Sequence, residues 1–220
     1  MSVKPILFNT EMVRAILDGR KACTRRILKG AIPFDEKAEY WNVLKKGEWS
    51  GPICVEYFMK QGSPYQPGDI LYVRETWYKG LERYMYRADY SDTEKFYRGG
   101  KEIEIKWHPS IHMPKEAARI WLKVTDVRVE RLQEITEEQA CMEGTNQWDE
   151  ACYENNGWRP TFSDPDSGGE PNMVDGFHKL WNSTIKKSDL NRYGWNANPW
   201  VWVIEFERCE KPESEEKVDE

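Results

Sequence analysis

No apolar run in the chain approaches the roughly 18 to 20 residues that a bilayer-spanning helix needs. Near the N-terminus no basic stretch precedes an apolar one, as it would in a secretory signal. These absences exclude a membrane-spanning helix and lead us to expect a soluble, cytoplasmic protein without a membrane partner. Cysteine is sparse. The five, Cys23, Cys54, Cys141, Cys152 and Cys209, are odd in number and lack paired spacing, which excludes a disulfide framework and fits a reducing compartment. Histidine is scarcer still. Of the three, His108 and His112 are four apart, but Pro109 breaks any helix between them and no close Cys or acid completes a ligand set. Neither a metal nor another cofactor is expected. Nor is there an excess of positive charge. Lys and Arg number 32 against 38 Asp and Glu, for a net charge of −6, which excludes a large non-specific DNA footprint.

What is present is unevenly spread. Residues 1–30 carry seven bases against two acids, whereas residues 209–220 carry six acids against two lysines. A local basic patch of this kind suits a nucleotide or a short RNA. With 39% hydrophobic and 32% charged residues in a length of 220, the chain has enough apolar matter for one ordinary core, plus polar insertions.

The chain is organised around Gly19-Arg20-Lys21-Ala22-Cys23-Thr24-Arg25-Arg26. Before it, Met12, Val13, Ile16 and Leu17 recur at helical spacing, with Thr10 as a candidate N-cap and Gly19 placed to end the helix. If residues 23–28 are extended, Thr24 and Arg26 share one strand face, with Lys21 just before them. A lysine, a hydroxyl and a guanidinium held together suit activation of a nucleophile or the grip of an anion such as phosphate, and the spacing leaves both open.

Lys4 to Phe8 reads as a first strand, and residues 30–66 as an irregular insertion in which only Ile53 to Phe58 has a strand pattern. Gln66-Pro67-Gly68-Asp69 is a turn leading into a strand from Ile70 to Trp77. That strand's alternation puts Glu75 on the apolar face beside Trp77. A carboxylate there needs a partner, and Lys21, Arg25 and Arg26 are the candidates. Tyr84 to Tyr90 is a further strand, and Arg119 to Leu132 is the clearest strand pattern in the chain. Thr136-Glu137-Glu138-Gln139 forms a capping box, with Gly144 ending its helix and Glu143 at the helix end. Val174 to Ile185 is an amphipathic helix and Trp200 to Phe206 the last strand. Trp121, Trp181, Trp200 and Trp202 fall on periodic apolar faces and read as packing, which leaves Trp77 as the nominee for stacking a base.

Gly19-x-Lys21-x-x-Thr24-x-Arg26 resembles the signature G-x-K-x-x-[ET]-x-R of the ASCH domain. Three later stretches also look like that family: Gly68 to Trp77, Ile120 to Arg131 followed by Ile135 to Ala140, and Trp200 to Phe206. The resemblance implies an α+β fold, a PUA-like β-barrel with flanking helices. It would span residues 1–208 as a single domain, with long insertions near 30–66 and 145–172 and an acidic tail at 209–220. The chain is similar to the larger ASCH proteins of bacteriophages and prophages, which would place it in a bacterial host cytoplasm. It also implies action on RNA or modified nucleosides. One bacterial ASCH group hydrolyses N4-acetylcytidine, which makes Lys21, Thr24 and Glu143 the expected catalytic residues. The alternative is a non-catalytic reader of RNA or modified nucleotides, with Lys21, Arg25, Arg26 and Arg74 on phosphates, Glu75 lining the site and Trp77 stacking a base. A metal-independent ribonuclease is a third possibility.

Overall fold

A computed structural model describes residues 2–35, 37–81, 83–145 and 173–212. Residues 146–172 of the expected insertion and 213–220 of the expected tail lie outside the described residues. In chain order the elements are β1 (Val3–Leu7), α1 (Thr10–Leu17), β2 (Cys23–Ile27), β3 (Ala31–Pro33), β4 (Tyr40–Lys45), β5 (Glu48–Trp49), β6 (Ile53–Cys54), α2 (Val55–Gly62) and β7 (Ile70–Arg74). There follow β8 (Trp77–Lys79), β9 (Tyr84–Tyr86), β10 (Phe96–Arg98), β11 (Lys101–Ile103), β12 (Trp121–Arg131), α3 (Glu137–Met142), α4 (Met173–Thr184) and β13 (Trp200–Cys209). The class is mixed α+β. Among the described residues no helix is long and apolar enough to cross a membrane.

The described residues fall into two compact units, one drawn from Met1–Gly19, Gly68–Val124 and Phe206–Glu220, the other from Arg20–Pro67 and Thr125–Glu205. In the first, β1 runs parallel to β7 from Val3 opposite Ile70 to Leu7 opposite Arg74. The other side of β7 pairs antiparallel with the start of β12, Tyr72 facing Trp121. Asn9 rather than Thr10 caps α1, its side chain accepting from the Met12 backbone N–H at 2.9 Å. Thr10 is already inside the helix, so its hydroxyl stands one residue too late for that donor. Gly19 ends the helix with φ +77°, a conformation that costs glycine nothing. The expected strand from Ile70 to Trp77 stops at Arg74 and resumes as β8, which pairs with β9. The expected strand from Tyr84 likewise ends at Tyr86, because Arg87–Asp89 coils into a helical turn.

In the second unit β2 pairs antiparallel with β13, Cys23 opposite Glu205 and Ile27 opposite Val201. Alternation sorts the side chains onto two faces. Cys23, Val201 and Val203 share a core with Leu132, Ala140, Phe177 and Trp181, so α3 and α4 cover that face. The opposite face carries Trp202, whose ring stacks on Phe58 at 5.3 Å; Phe58 stacks on Trp41 at 4.9 Å, and Trp41 meets Trp200 edge-on at 5.0 Å.

This aromatic stack explains why residues 30–66 are more regular than expected. Trp41, 1% exposed, anchors a meander in which β4 pairs with β3, β5 and β6. Of the expected strand from Ile53 to Phe58 only Ile53–Cys54 is extended; Val55–Phe58 open the helix Val55–Gly62, since a helix brings Phe58 onto Trp41 and Trp202 while Glu56, Tyr57 and Lys60 stay outside. The short apolar run that suggested a strand fits a single helical turn equally well.

Candidate functional site

The motif after Gly19 is anchored by backbone pairing to the end of α3. Lys21 and Glu143 form an isolated antiparallel bridge, and the Ala22 N–H donates to the Met142 carbonyl at 2.9 Å. Helix α3 begins with the expected capping box, the Thr136 hydroxyl accepting from the Gln139 backbone N–H and the Gln139 side chain accepting from the Thr136 N–H. It ends at Glu143, after which Gly144 turns the chain with φ +86°. Local sequence therefore fixes where Glu143 stands along its helix, and the bridge fixes what it meets.

It meets two cations. Lys21 Nζ donates to Glu143 Oε2 at 2.6 Å and to the Glu143 carbonyl at 3.0 Å. Arg25 Nη1 donates to Glu143 Oε1 at 3.2 Å, and Arg25 Nη2 reaches Gln139 Oε1 at 2.8 Å and Glu130 Oε2 at 3.3 Å. The side chains of Lys21 and Arg25 are 0% exposed and that of Glu143 3%. Taking three charges out of water is tolerable only because each is met by opposite charge or a hydrogen-bond partner. Arg25 also lies 5.6 Å from the centroid of the Phe177 ring. Since Gln139 belongs to the cap of α3 and Glu143 to its end, Arg25 ties both ends of that helix to β2.

Glu130 extends the network outward to Arg128, which also contacts Asp126 and Glu205. Burial works against the Arg128 charge, but the hydrogen bonds it donates to Glu130, Glu205 and Asp126 outweigh it and push its pKa up. The Cys23 thiol, 3.9 Å from Glu143 Oε1, is pushed up from 9.0 to about 12 by burial first and by the Glu143 carboxylate second. It is therefore a protonated packing group at neutral pH and not a nucleophile.

Of the three residues expected to be catalytic, Lys21 and Glu143 are brought together. Thr24 is 2% exposed and lies opposite Ile204, on the β2 face away from Cys23 and Arg25. Arg26, opposite Trp202, shares that second face. It is half-buried, and burial pushes its pKa down while the neighbouring Tyr65 opposes the shift.

Arg74, Glu75 and Trp77 belong to the other unit. The expectation that Glu75 pairs with Lys21, Arg25 or Arg26 is overturned. It is held by Arg119, Nε to Oε1 at 2.9 Å and Nη2 to Oε2 at 3.0 Å, with the Arg119 guanidinium 4.0 Å from the Tyr86 ring centroid and bonded to Asp89. Burial raises the Glu75 pKa and Arg119 opposes the rise. Arg74 Nη2 donates to the Ile111 carbonyl. Trp77 is 9% exposed and packs against His108 at 5.1 Å and Tyr84 at 5.6 Å, as part of that unit's core.

Sequence reasoning missed Gln139 and Glu130 as partners of Arg25, and the grouping of Lys21, Cys23 and Arg25. The last was available as a signal, since positions 21, 23 and 25 have the same parity. No family model matches the chain, and no curated protein does. Among solved structures, an ASCH domain from Lactobacillus crispatus JV V101 is similar at 12% identity over 94% of this chain and 79% of that one, with a TM-score of 0.33. The hypothetical protein PH0355 is similar at 15% identity over 95% of this chain and 100% of that one, with a TM-score of 0.31. Superpositions this loose transfer no residue's role.

Proposed function

We propose that the chain acts on RNA or modified nucleosides as an amidohydrolase, with N4-acetylcytidine as the first candidate substrate, in a fold of the PUA-like ASCH kind. The observation that carries this reading is the buried Lys21–Glu143 pair at 2.6 Å, a proton-transfer couple in a setting of low dielectric. Proton passage from the ammonium to Glu143 leaves an amine on Lys21 that takes a proton from an attacking water. As the acyl C–N bond breaks, the Glu143 carboxyl returns its proton to the departing amine. Since Thr24 faces the other side of β2, water rather than the Thr24 hydroxyl is the nucleophile in this scheme. Arg25 holds Glu143 in place, and Arg26 or a backbone N–H is the nominee for the oxyanion. Substrate entry has to open the cover over the pair, because neither side chain faces solvent.

A second reading, a non-catalytic reader of RNA or modified nucleotides, is favoured by Arg26, a half-buried residue opposite Trp202 and near Tyr65, whose guanidinium suits a phosphate or a base plane. The experiment that separates them incubates wild type, Lys21→Met and Glu143→Gln with N4-acetylcytidine and follows cytidine and acetate by chromatography, with far-UV circular dichroism to establish folding. Conversion by wild type and a loss of at least about 10²-fold in folded variants is expected. No conversion by wild type refutes the hydrolase and leaves the reader, which is tested by titrating single-stranded RNA across salt concentrations.

A further inference from the structure

At the start of β13 the chain is flanked by the ends of two other strands. The Leu28 N–H donates to the Trp200 carbonyl and the Leu132 N–H to the Pro199 carbonyl, both at 3.0 Å, which places Lys29 and Arg131 on either side of it. The short helix Leu190–Tyr193 adds Arg192. Lys29 Nζ and the Arg192 guanidinium lie 5.7 and 5.0 Å from the centroid of the Tyr193 ring. The Arg131 guanidinium lies 4.5 Å from that of Trp200 and donates to the Asn198 carbonyl at 3.0 Å. An aromatic face holds a cation in place without neutralising it.

The segments that meet here, residues 27–30, 131–134 and 185–200, carry five bases, Lys186 and Lys187 included, against two acids. Among the described residues none of the five bases is in an ion pair. Of the acids, Glu134 accepts from the Arg131 backbone N–H at 2.9 Å and Asp189 from the Ser188 hydroxyl at 3.3 Å. Glu137, which follows on α3, is turned to the Met173 N–H at the other end of α4. We propose that this end of β13 binds a single-stranded nucleic acid, Lys29, Arg131 and Arg192 meeting its phosphates and the half-buried rings of Tyr193 and Trp195 offering unpaired bases a surface to stack on. A duplex hides its base faces and has no use for such rings. None of the exposed large apolar side chains falls in residues 173–200, so nothing here inserts among lipid tails, which favours a polynucleotide over an anionic membrane. Lys21 precedes β2 and Lys29 follows it, so that strand separates this surface from the buried pair, and the assignment does not rest on the reaction proposed there.

Fluorescence anisotropy of the full chain with labelled oligouridylate and oligothymidylate of about 10 nucleotides, within the span one such site covers, tests it. Wild type is expected to bind with a dissociation constant on the order of 10 µM at about 50 mM salt, with a log–log salt slope near −2 for three phosphate contacts at about 0.7 each. Either oligonucleotide supports the assignment, and the tighter one names the sugar. Lys29→Gln and Arg192→Gln are each expected to flatten the slope by about 0.7 and to weaken binding about eightfold at that salt, the factor that 0.7 of a counterion gives between about 50 mM and 1 M. Tyr193→Leu is expected to weaken it at least about fivefold with the slope unchanged, since stacking releases no counterions. Circular dichroism establishes that each variant is folded. Wild type that binds neither oligonucleotide, including one that sediments with phosphatidylglycerol vesicles instead, overturns the proposal. So does binding indifferent to Lys29→Gln and Arg192→Gln, or weakened as much by Lys101→Gln, the same loss of charge from an exposed residue of β11. A loss confined to Arg26→Gln also overturns it, while leaving the reader centred on Arg26 standing.

Discussion

Replacing Glu143 by glutamine keeps the shape of the side chain and removes its charge, so it isolates what the carboxylate does. Lys21 and Arg25 are left as two cations with fully buried side chains, with an amide in place of the anion between them. Arg25 keeps Gln139 and Glu130, whereas Lys21 keeps the Glu143 carbonyl at 3.0 Å, a dipole in place of an ion. Removing one member of a buried pair costs about 3 to 5 kcal/mol, because the partner stays buried and uncompensated. That is a large part of the roughly 5 to 15 kcal/mol that holds a protein folded. For a chain of this size it lowers Tm by roughly 6 to 20 °C. Urea unfolding followed by tryptophan fluorescence and far-UV circular dichroism gives the free energy. Lys21→Met combined with Glu143→Leu, completing a cycle with the single changes, is expected to recover at least about 2 kcal/mol of the summed losses. The exposed pair Lys95–Glu102, 61% and 55% exposed, is the control. Neutralising Glu102 is expected to cost under about 1 kcal/mol. A Glu143→Gln loss no larger than that control refutes the reasoning, since it would mean the pair is open to water.

Cys23 is expected to resist iodoacetamide at pH 8.5 while exposed Cys54 is alkylated. Because the folded thiol titrates near 12 and the unfolded one near 9.0, its contribution is fully present below pH 9 and is lost as pH rises from 9 to 12; rapid labelling of Cys23 in the folded protein contradicts this. Arg119→Met strands buried Glu75, whose pKa burial already raises. A raised carboxyl makes no demand below its unfolded value and destabilises as pH climbs through its folded one, so the variant's urea midpoint is expected to lie closer to wild type at pH 4 than at pH 7, and equal deficits would count against it. Trp41→Ala opens the aromatic stack beneath the meander and is expected to cost about 3 to 5 kcal/mol. A loss under about 1 kcal/mol by urea titration would show that Phe58 and Trp200 close over the gap.

The sequence by itself determined the elements whose signals are local. The capping box at Thr136 to Gln139 set the start of α3, Gly144 its end, and so the place of Glu143. The apolar period gave β12, α4 and β13. Parity within Lys21 to Arg26 was also written there, though the motif drew attention to Lys21, Thr24 and Arg26 rather than to positions 21, 23 and 25. Tertiary structure alone decided the partners. Lys21 and Glu143 are 122 residues apart and Arg119 and Glu75 are 44 apart, and no periodicity in one segment states which distant charge will neutralise it. It likewise decided that Val55–Phe58 coil as the start of a helix, since so short a run carries both periods and only the rings of Trp41 and Trp202 select the one that buries Phe58. Local order follows from backbone and side-chain sterics within a few residues, whereas charge pairing and burial depend on what the rest of the chain brings to the same place.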